Sequence, residues 1–113
     1  MGILNVERKD QVTVVHLEGS LAGTEVRDIE PRFNEVALVP GLRLVVDLSN
    51  VIILNTPAIT LFIGAVMFQR PHGGKVVFTG TEGTIDRLLR VCRLDTVMCV
   101  VKDLPGAIAE AAR

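Results

Sequence analysis

The run Leu42, Leu44, Val45 and Val46 constrains this 113-residue chain more than any other feature. A short apolar, partly β-branched run of this kind suits a strand covered on both faces, an environment found in parallel sheets flanked by helices. Asp47 is expected to end that strand. A second apolar patch, Val51 to Leu54, then leads into Asn55-Thr56-Pro57. That tripeptide reads as a helix start, with Thr56 as the N-cap and Pro57 at the first helical position, where its missing N–H costs nothing. The Thr56 hydroxyl then stands at the positive end of a helix dipole, close to unpaired backbone N–H groups. A phosphate attached there is electrostatically favoured, so Thr56 is a candidate phospho-acceptor; taken alone, the same residues also describe an ordinary helix cap.

The remaining periodicities place strands and helices in alternation. Apolar residues alternating over 12–17 predict a strand, and Asn5 to Val6 ahead of it can pair as a hairpin across a turn at Arg8 to Asp10. Val26, Ile29, Phe33 and Val36 recur at helical spacing behind a Thr24 cap. Pro31 falls inside that stripe and must either kink the helix or restart it. Strands over 42–48, 75–79 and 96–101 then alternate with helices over 57–69, 83–92 and 105–112. The order predicts an α/β fold: a mainly parallel mixed sheet with an N-terminal antiparallel strand, right-handed crossovers and helices packed on it. With 49% hydrophobic residues there is material for one core, hence one domain over 1–113.

Charge and reactive residues narrow the function classes. The formal net charge is −1 with Lys and Arg dispersed, which gives no field for nucleic acid or an anionic membrane. Residues 1–10 carry no signal pattern, and the apolar stretch 59–68 is too short to span a bilayer, so a cytoplasmic protein without membrane insertion is expected. Cys92, on a helical stripe, and Cys99, in a strand, lack metal-ligand spacing and a Cys-x-x-Cys motif; both are expected to be buried packing residues. His16 and His72 are tied to no nucleophile by sequence. Gly80-Thr81-Glu82-Gly83-Thr84 has neither the phosphate-loop nor the dinucleotide-loop arrangement and reads as helix capping. No catalytic residue, cofactor or metal site is expected, and the chain does not read as an enzyme.

The helix beginning near Pro57 is apolar on two sides. Ile59, Phe62, Ile63 and Val66 make a core stripe, while Thr60, Leu61, Gly64, Met67 and Phe68 project from the other side. Such a surface beside Thr56 marks a partner interface, unless a sheet neighbour, the C-terminal helix or a homodimer contact covers it. By contrast, Ile85, Leu88, Leu89 and Cys92 form a core stripe opposite the polar Asp86, Arg87, Arg90 and Arg93.

The segment DLSNVIILNTPA, Asp47 to Ala58, resembles the D-L-S-x-V-x-x-[ILM]-D-[ST]-[SAG]-[GA] signature of STAS domains, the family of bacterial anti-sigma factor antagonists. Val12 to Leu21 is similar to the family's opening V-x-x-V-x-L-x-G-x-L. Gly73-Gly74-Lys75-Val76-Val77-Phe78 is similar to its Gly-Gly-basic-apolar strand start, and Ile85 to Asp95 resembles its R-x-L-L helix, so the resemblance covers nearly the whole chain. It implies that Thr56 is the residue phosphorylated by a partner anti-sigma factor kinase. It also implies that Asn55, Thr56, Pro57, Thr60, Leu61, Gly64, Met67 and Phe68 meet an anti-sigma factor or related kinase-like protein, freeing a sigma factor for transcription. Asn55 stands where the family has an acidic residue, Pro57 where it has a small one and Ala58 where it has Gly. Asn55 removes a negative charge but keeps hydrogen-bonding capacity, and Pro57 removes one backbone donor. These departures favour the alternative, an unphosphorylated STAS scaffold subunit in a stressosome-like sensor or lipid-transport complex.

Overall fold

Alternation at the start of the chain builds an antiparallel hairpin in which β1 (Gly2–Lys9) pairs with β2 (Val12–Leu21) from Gly2↔Gly19 to Lys9↔Val12. The computed structural model describes residues 2–113; Met1 and the side chain of Thr84, including its part in the expected helix cap, lie outside the described residues. Asp10, with φ 56°, takes the left-handed conformation that a two-residue hairpin turn requires and that Asp tolerates better than most residues. β1 is longer than the Asn5–Val6 segment expected, because charged residues such as Glu7 and Lys9 can remain in the ladder of a solvent-facing edge strand.

A 3-10 segment, Gly23–Asp28, leads into α1 (Glu30–Ala37). Pro31 therefore restarts the helix: it lies in the first turn, where its missing amide has no intrahelical partner to lose. There follow β3 (Arg43–Leu54), α2 (Thr56–Gln69), β4 (Lys75–Thr79), α3 (Gly83–Val91), β5 (Cys99–Val101) and α4 (Leu104–Ala112). The strands lie in the order β1-β2-β3-β4-β5, parallel from β2 to β5 with β1 antiparallel, the mixed α/β arrangement expected. β3 does not end at Asp47. Asp47 sits mid-strand beside His16 and Thr79, and the ladder with β2 continues to Leu21↔Leu54.

The central strands are apolar on both faces because both faces are covered. Val15, Leu17, Leu44, Val46, Leu48 and Phe78 belong to one core with residues of α1, α2 and α3. There Phe62 lies 5.7 Å from Phe33 and 5.5 Å from Phe78, joining α1, α2 and β4 through tilted rings. Val12, Val14, Val45 and Val77 form the second core, on which α4 lays Ala107 and Ala111.

β5 is shorter than expected, since Arg93 turns left-handed (φ 56°) and a 3-10 turn, Leu94–Thr96, delays the strand. Cys92 and Cys99 are both exposed, not buried: Cys92 lies just beyond the last helical residue and Cys99 on the edge strand. The buried amide of Gln69 ties α2 to the α1–β3 connection. Its Nε2 donates to the carbonyls of Ala37 (2.8 Å) and Val39 (2.7 Å), and its Oε1 accepts from the amides of Gly41 (3.1 Å) and Leu42 (3.2 Å). All four hydrogen-bonding positions of the side chain are filled. A Cβ at Gly74 would collide with this side chain, which accounts for glycine there.

Candidate functional site

The site begins where β3 outruns its neighbour. β4 pairs with β3 only as far as Asp47↔Thr79, whereas β2 accompanies it to Leu54 with irregular register between His16 and Glu18 and between Gly19 and Ser20. In this last stretch Val51 and Leu54 are buried, but Ile52 is 74% and Ile53 54% exposed. Asn55, extended at φ −140° and ψ −167°, is the N-cap residue. Its carbonyl accepts the amides of Ala58 (3.0 Å) and Ile59 (3.2 Å). Its side chain does not cap the helix; Oδ1 accepts the Gly23 amide at 3.4 Å, linking the start of α2 to the segment after β2.

Thr56 is thus the first helical residue and not the cap, and Pro57 is the second, a shift of one position from the sequence expectation. Asn55 takes the cap because its extended backbone already receives the first helical hydrogen bonds, the defining role of that position. Thr56 is exposed, and its carbonyl accepts the Thr60 hydroxyl at 3.0 Å. Pro57 has no amide, and those of Ala58 and Ile59 are already engaged, so few backbone donors remain for an anion at this helix end.

α2 buries Ala58, Ile59, Leu61, Phe62, Ala65, Val66 and Gln69. Leu61, expected on the outer side, is only 8% exposed and belongs to the core; the buried arc is wider than one stripe because α1 and the sheet both pack on the helix. Ile63, expected in the stripe, is half-buried. The outward side is formed by Thr60, Gly64 and Met67, the last 55% exposed, with Phe68 half-buried. The C-terminal helix does not cover them, since α4 packs on the opposite face of the sheet. Between α1 and α2 runs a groove of about 360 Å³, lined by Glu30, Asn34 and Leu38 on one side and Pro57, Thr60, Leu61, Gly64 and Phe68 on the other. At its end Phe68 stacks on His72 with ring centres 4.5 Å apart, and His72 Nδ1 donates to the Phe68 carbonyl at 2.7 Å.

His16 belongs to a separate cluster. Its Nδ1 lies 2.7 Å from Asp47 Oδ2 and its Nε2 3.0 Å from Glu7 Oε1. Burial alone would lower the imidazole pKa, but the hydrogen bonds and charges of Glu7 and Asp47 outweigh it and hold it above the ordinary histidine value. Burial raises Asp47, yet the Ser49 hydrogen bonds and His16 bring it below the usual carboxylate value. With both ring nitrogens donating to carboxylates, His16 has no free position from which to act as a base. Among the described residues no group of three His, Cys, Asp or Glu side chains could hold a metal ion, and no helix is long and apolar enough to cross a membrane.

Sequence reasoning named Asn55, Thr56, Pro57, Thr60, Leu61, Gly64, Met67 and Phe68 as a contact surface; all lie on α2 or at its cap, exposed or half-buried except Leu61, which is buried. It did not identify the α1 wall of Glu30, Asn34 and Leu38, nor the exposed Ile52 and Ile53. The wall depends on how two helices meet. The consecutive Ile52-Ile53 pair was visible, but its exposure follows from β4 stopping short.

A model of the family described as Mlab, STAS domain matches residues 4–102. No curated protein sequence matches significantly. Among solved structures, an anti-sigma factor antagonist from Mycobacterium paratuberculosis aligns with a TM-score of 0.89 at 19% identity, over 100% of this chain and 96% of that one. An anti-sigma-factor antagonist (STAS) domain protein from Planctomyces limnophilus aligns with a TM-score of 0.82 at 20% identity, over 97% and 98% of the two chains. The Bacillus cell fate determinant SpoIIAA in its phosphorylated form aligns at 0.72 and 12% identity, over 98% of this chain and 100% of that one. At these identities the structural likeness shows a common fold, and the sequence match spans most of the chain. By that family match over residues 4–102, the chain belongs to the STAS domain family.

Proposed function

We propose that the protein is an anti-sigma factor antagonist, which binds a kinase-type anti-sigma factor through the Thr56 edge and the outer side of α2 and so releases a sigma factor. The observation that carries this reading is the exposure of Thr56 at the first turn of α2, beside a groove lined largely by apolar residues. Asn55, Pro57, Thr60, Gly64, Met67 and Phe68 provide the contact around it, and Leu61 supports the groove from below. Phosphorylation adds about −1.5 to −2 charges at neutral pH. With Pro57 lacking an amide and the Ala58 and Ile59 amides engaged, the helix end holds such a phosphate weakly. The added charge, close to Glu30 across the groove, acts mainly by making an apolar contact unfavourable. Such a partner places the protein in the cytoplasm.

The same scarcity of backbone donors favours a second reading, a STAS scaffold subunit whose Thr56 surface is never modified. The two are separated by isolating the native protein from its own cells under phosphatase inhibition in several growth states. Phosphate is then mapped in the peptide from Asn55 to Arg70, and the co-isolating proteins are compared with those of Thr56→Glu. Growth-dependent phosphate on Thr56, with a kinase-fold anti-sigma factor retained by the wild type and lost by Thr56→Glu, is the expected result. Full peptide coverage without phosphate, and an unchanged partner set for Thr56→Glu, overturns the switch and leaves the scaffold.

A further inference from the structure

A second concave site, of about 430 Å³, lies on the other side of α1, towards the tip of the β1–β2 hairpin. Its floor is Val6, Arg8 and Thr13, with Arg8 and Thr13 directly opposed across the ladder. Its wall is Arg32 and Val36 on α1, and Val39 closes its far end. The site stays open because α1 has only eight residues, roughly 12 Å of helix, and leaves the end of the hairpin uncovered.

The fold leaves three polar groups here without partners. Among the described residues, neither the Arg8 nor the Arg32 side chain makes a hydrogen bond or an ion pair. Thr13 lines the cleft, and among the described residues its hydroxyl has no hydrogen-bond partner in the protein, so it is free to donate to a group bound there. The two guanidinium groups have the fork geometry that recognises a carboxylate or phosphate oxygen pair. Glu35 lines the same cleft and is likewise unpaired among the described residues, which brings the local charge to about +1 and matches a monoanion better than a dianion.

We propose that this cleft binds a small organic monoanion with an apolar body, of the carboxylate type. The head group lies between Arg8 and Arg32 with the Thr13 hydroxyl donating to it, and the apolar part covers Val6, Val36 and Val39. The volume lies within the range usual for small-molecule sites, and the lining pairs apolar side chains, Val6, Val36, Val39 and Leu42, with the polar Arg8, Thr13, Arg32 and Glu35, which suits a ligand that has both a charged head and an apolar body. The site is independent of the Thr56 surface, because its groups face away from the α1–α2 groove.

Octanoate is a suitable probe in a proton–nitrogen NMR titration of the full chain. It is expected to shift the amides of Val6, Thr13, Val36 and Val39 saturably. Octanol, which has the tail without the charge, and inorganic phosphate, which has charge without the tail, are each expected to bind at least about tenfold more weakly. Arg8→Gln and Arg32→Gln should each weaken octanoate about tenfold with unchanged urea midpoints, whereas Glu35→Gln should tighten it. The proposal is overturned if octanoate shifts no defined site or maps to the groove at Phe68, if octanol or phosphate binds as tightly, or if the arginine substitutions leave affinity unchanged.

Discussion

His16 joins three adjacent strands through two carboxylates, Glu7 on β1 and Asp47 on β3, and this fixes how the hairpin responds to pH. The imidazole is raised above its ordinary value, so its contribution is complete below about pH 6.5 and is lost as pH rises through the higher value of the folded state. Asp47 and Glu7 are lowered, so their contribution is present above the usual carboxylate range and is lost as pH falls through their folded values. Wild-type stability in urea should therefore decline as pH rises above about 6.5, and His16→Gln should flatten that slope; an equal slope in both proteins would show that another group is responsible. Gln69 is the other side chain on which the backbone depends. Gln69→Leu leaves two carbonyls and two amides of the α1–β3 connection without their partner, and a loss of roughly 2–4 kcal/mol is expected from urea unfolding. Neither role was legible in the sequence. Asp47 looked like a strand end because its partner His16 lies 31 residues away and meets it only through the β2–β3 register. Gln69 looked like the polar last residue of a helix because its partners are main-chain groups, which have no sequence signature.

The start of α2 could be placed from Asn55-Thr56-Pro57 to within one residue, the usual precision of helix boundaries. Which of its sides was buried could not. A helix apolar nearly all round gives no periodicity from which to choose, so Leu61 was assigned outward until α1 and the sheet were in place beside it. Gly64 is the most useful position for testing the outer side, since a Cβ there meets nothing within 4 Å. Gly64→Ala removes a flexible residue from a helix interior and should stabilise the protein by about 0.5–1 kcal/mol, read from the urea midpoint. Gly64→Arg should fold equally well while filling the groove with a long charged side chain. Loss of the co-isolated partner by Gly64→Arg, but not by Gly64→Ala, is expected if this side of α2 is the contact; retention by both would place the contact elsewhere.

The two faces of the sheet are closed by unequal means: three helices cover one, and α4 covers the inner part of the other. α4 is fastened at its start by the Asp103 side chain accepting the Gly106 amide at 2.8 Å. Near its end, Arg43 Nη1 donates to the carbonyls of Ala111 (2.9 Å) and Arg113 (2.8 Å). Truncation after Asp103 would uncover Val12, Val14, Val45 and Val77. At about 1.5–3 kcal/mol for each buried valine, it should remove much of a net stability that is typically only about 5–15 kcal/mol. An unchanged thermal midpoint would show that α4 contributes little. The α/β class and the strand–helix order were legible because the patterns are local: apolar runs for covered strands, a wide apolar stripe for α3. The edges were less so, and β5 proved short because a left-handed Arg93 cannot be read from composition. The agreement between strand order and chain order has a consequence for how the protein is made. Each strand pairs with the strand before it, across connections of about twenty residues beyond the first hairpin, and no later segment must insert between two already joined. The sheet can therefore grow from one edge as the chain leaves the ribosome, each new strand finding its template already in place, with α4 arriving last to shield the valines that have waited in solvent.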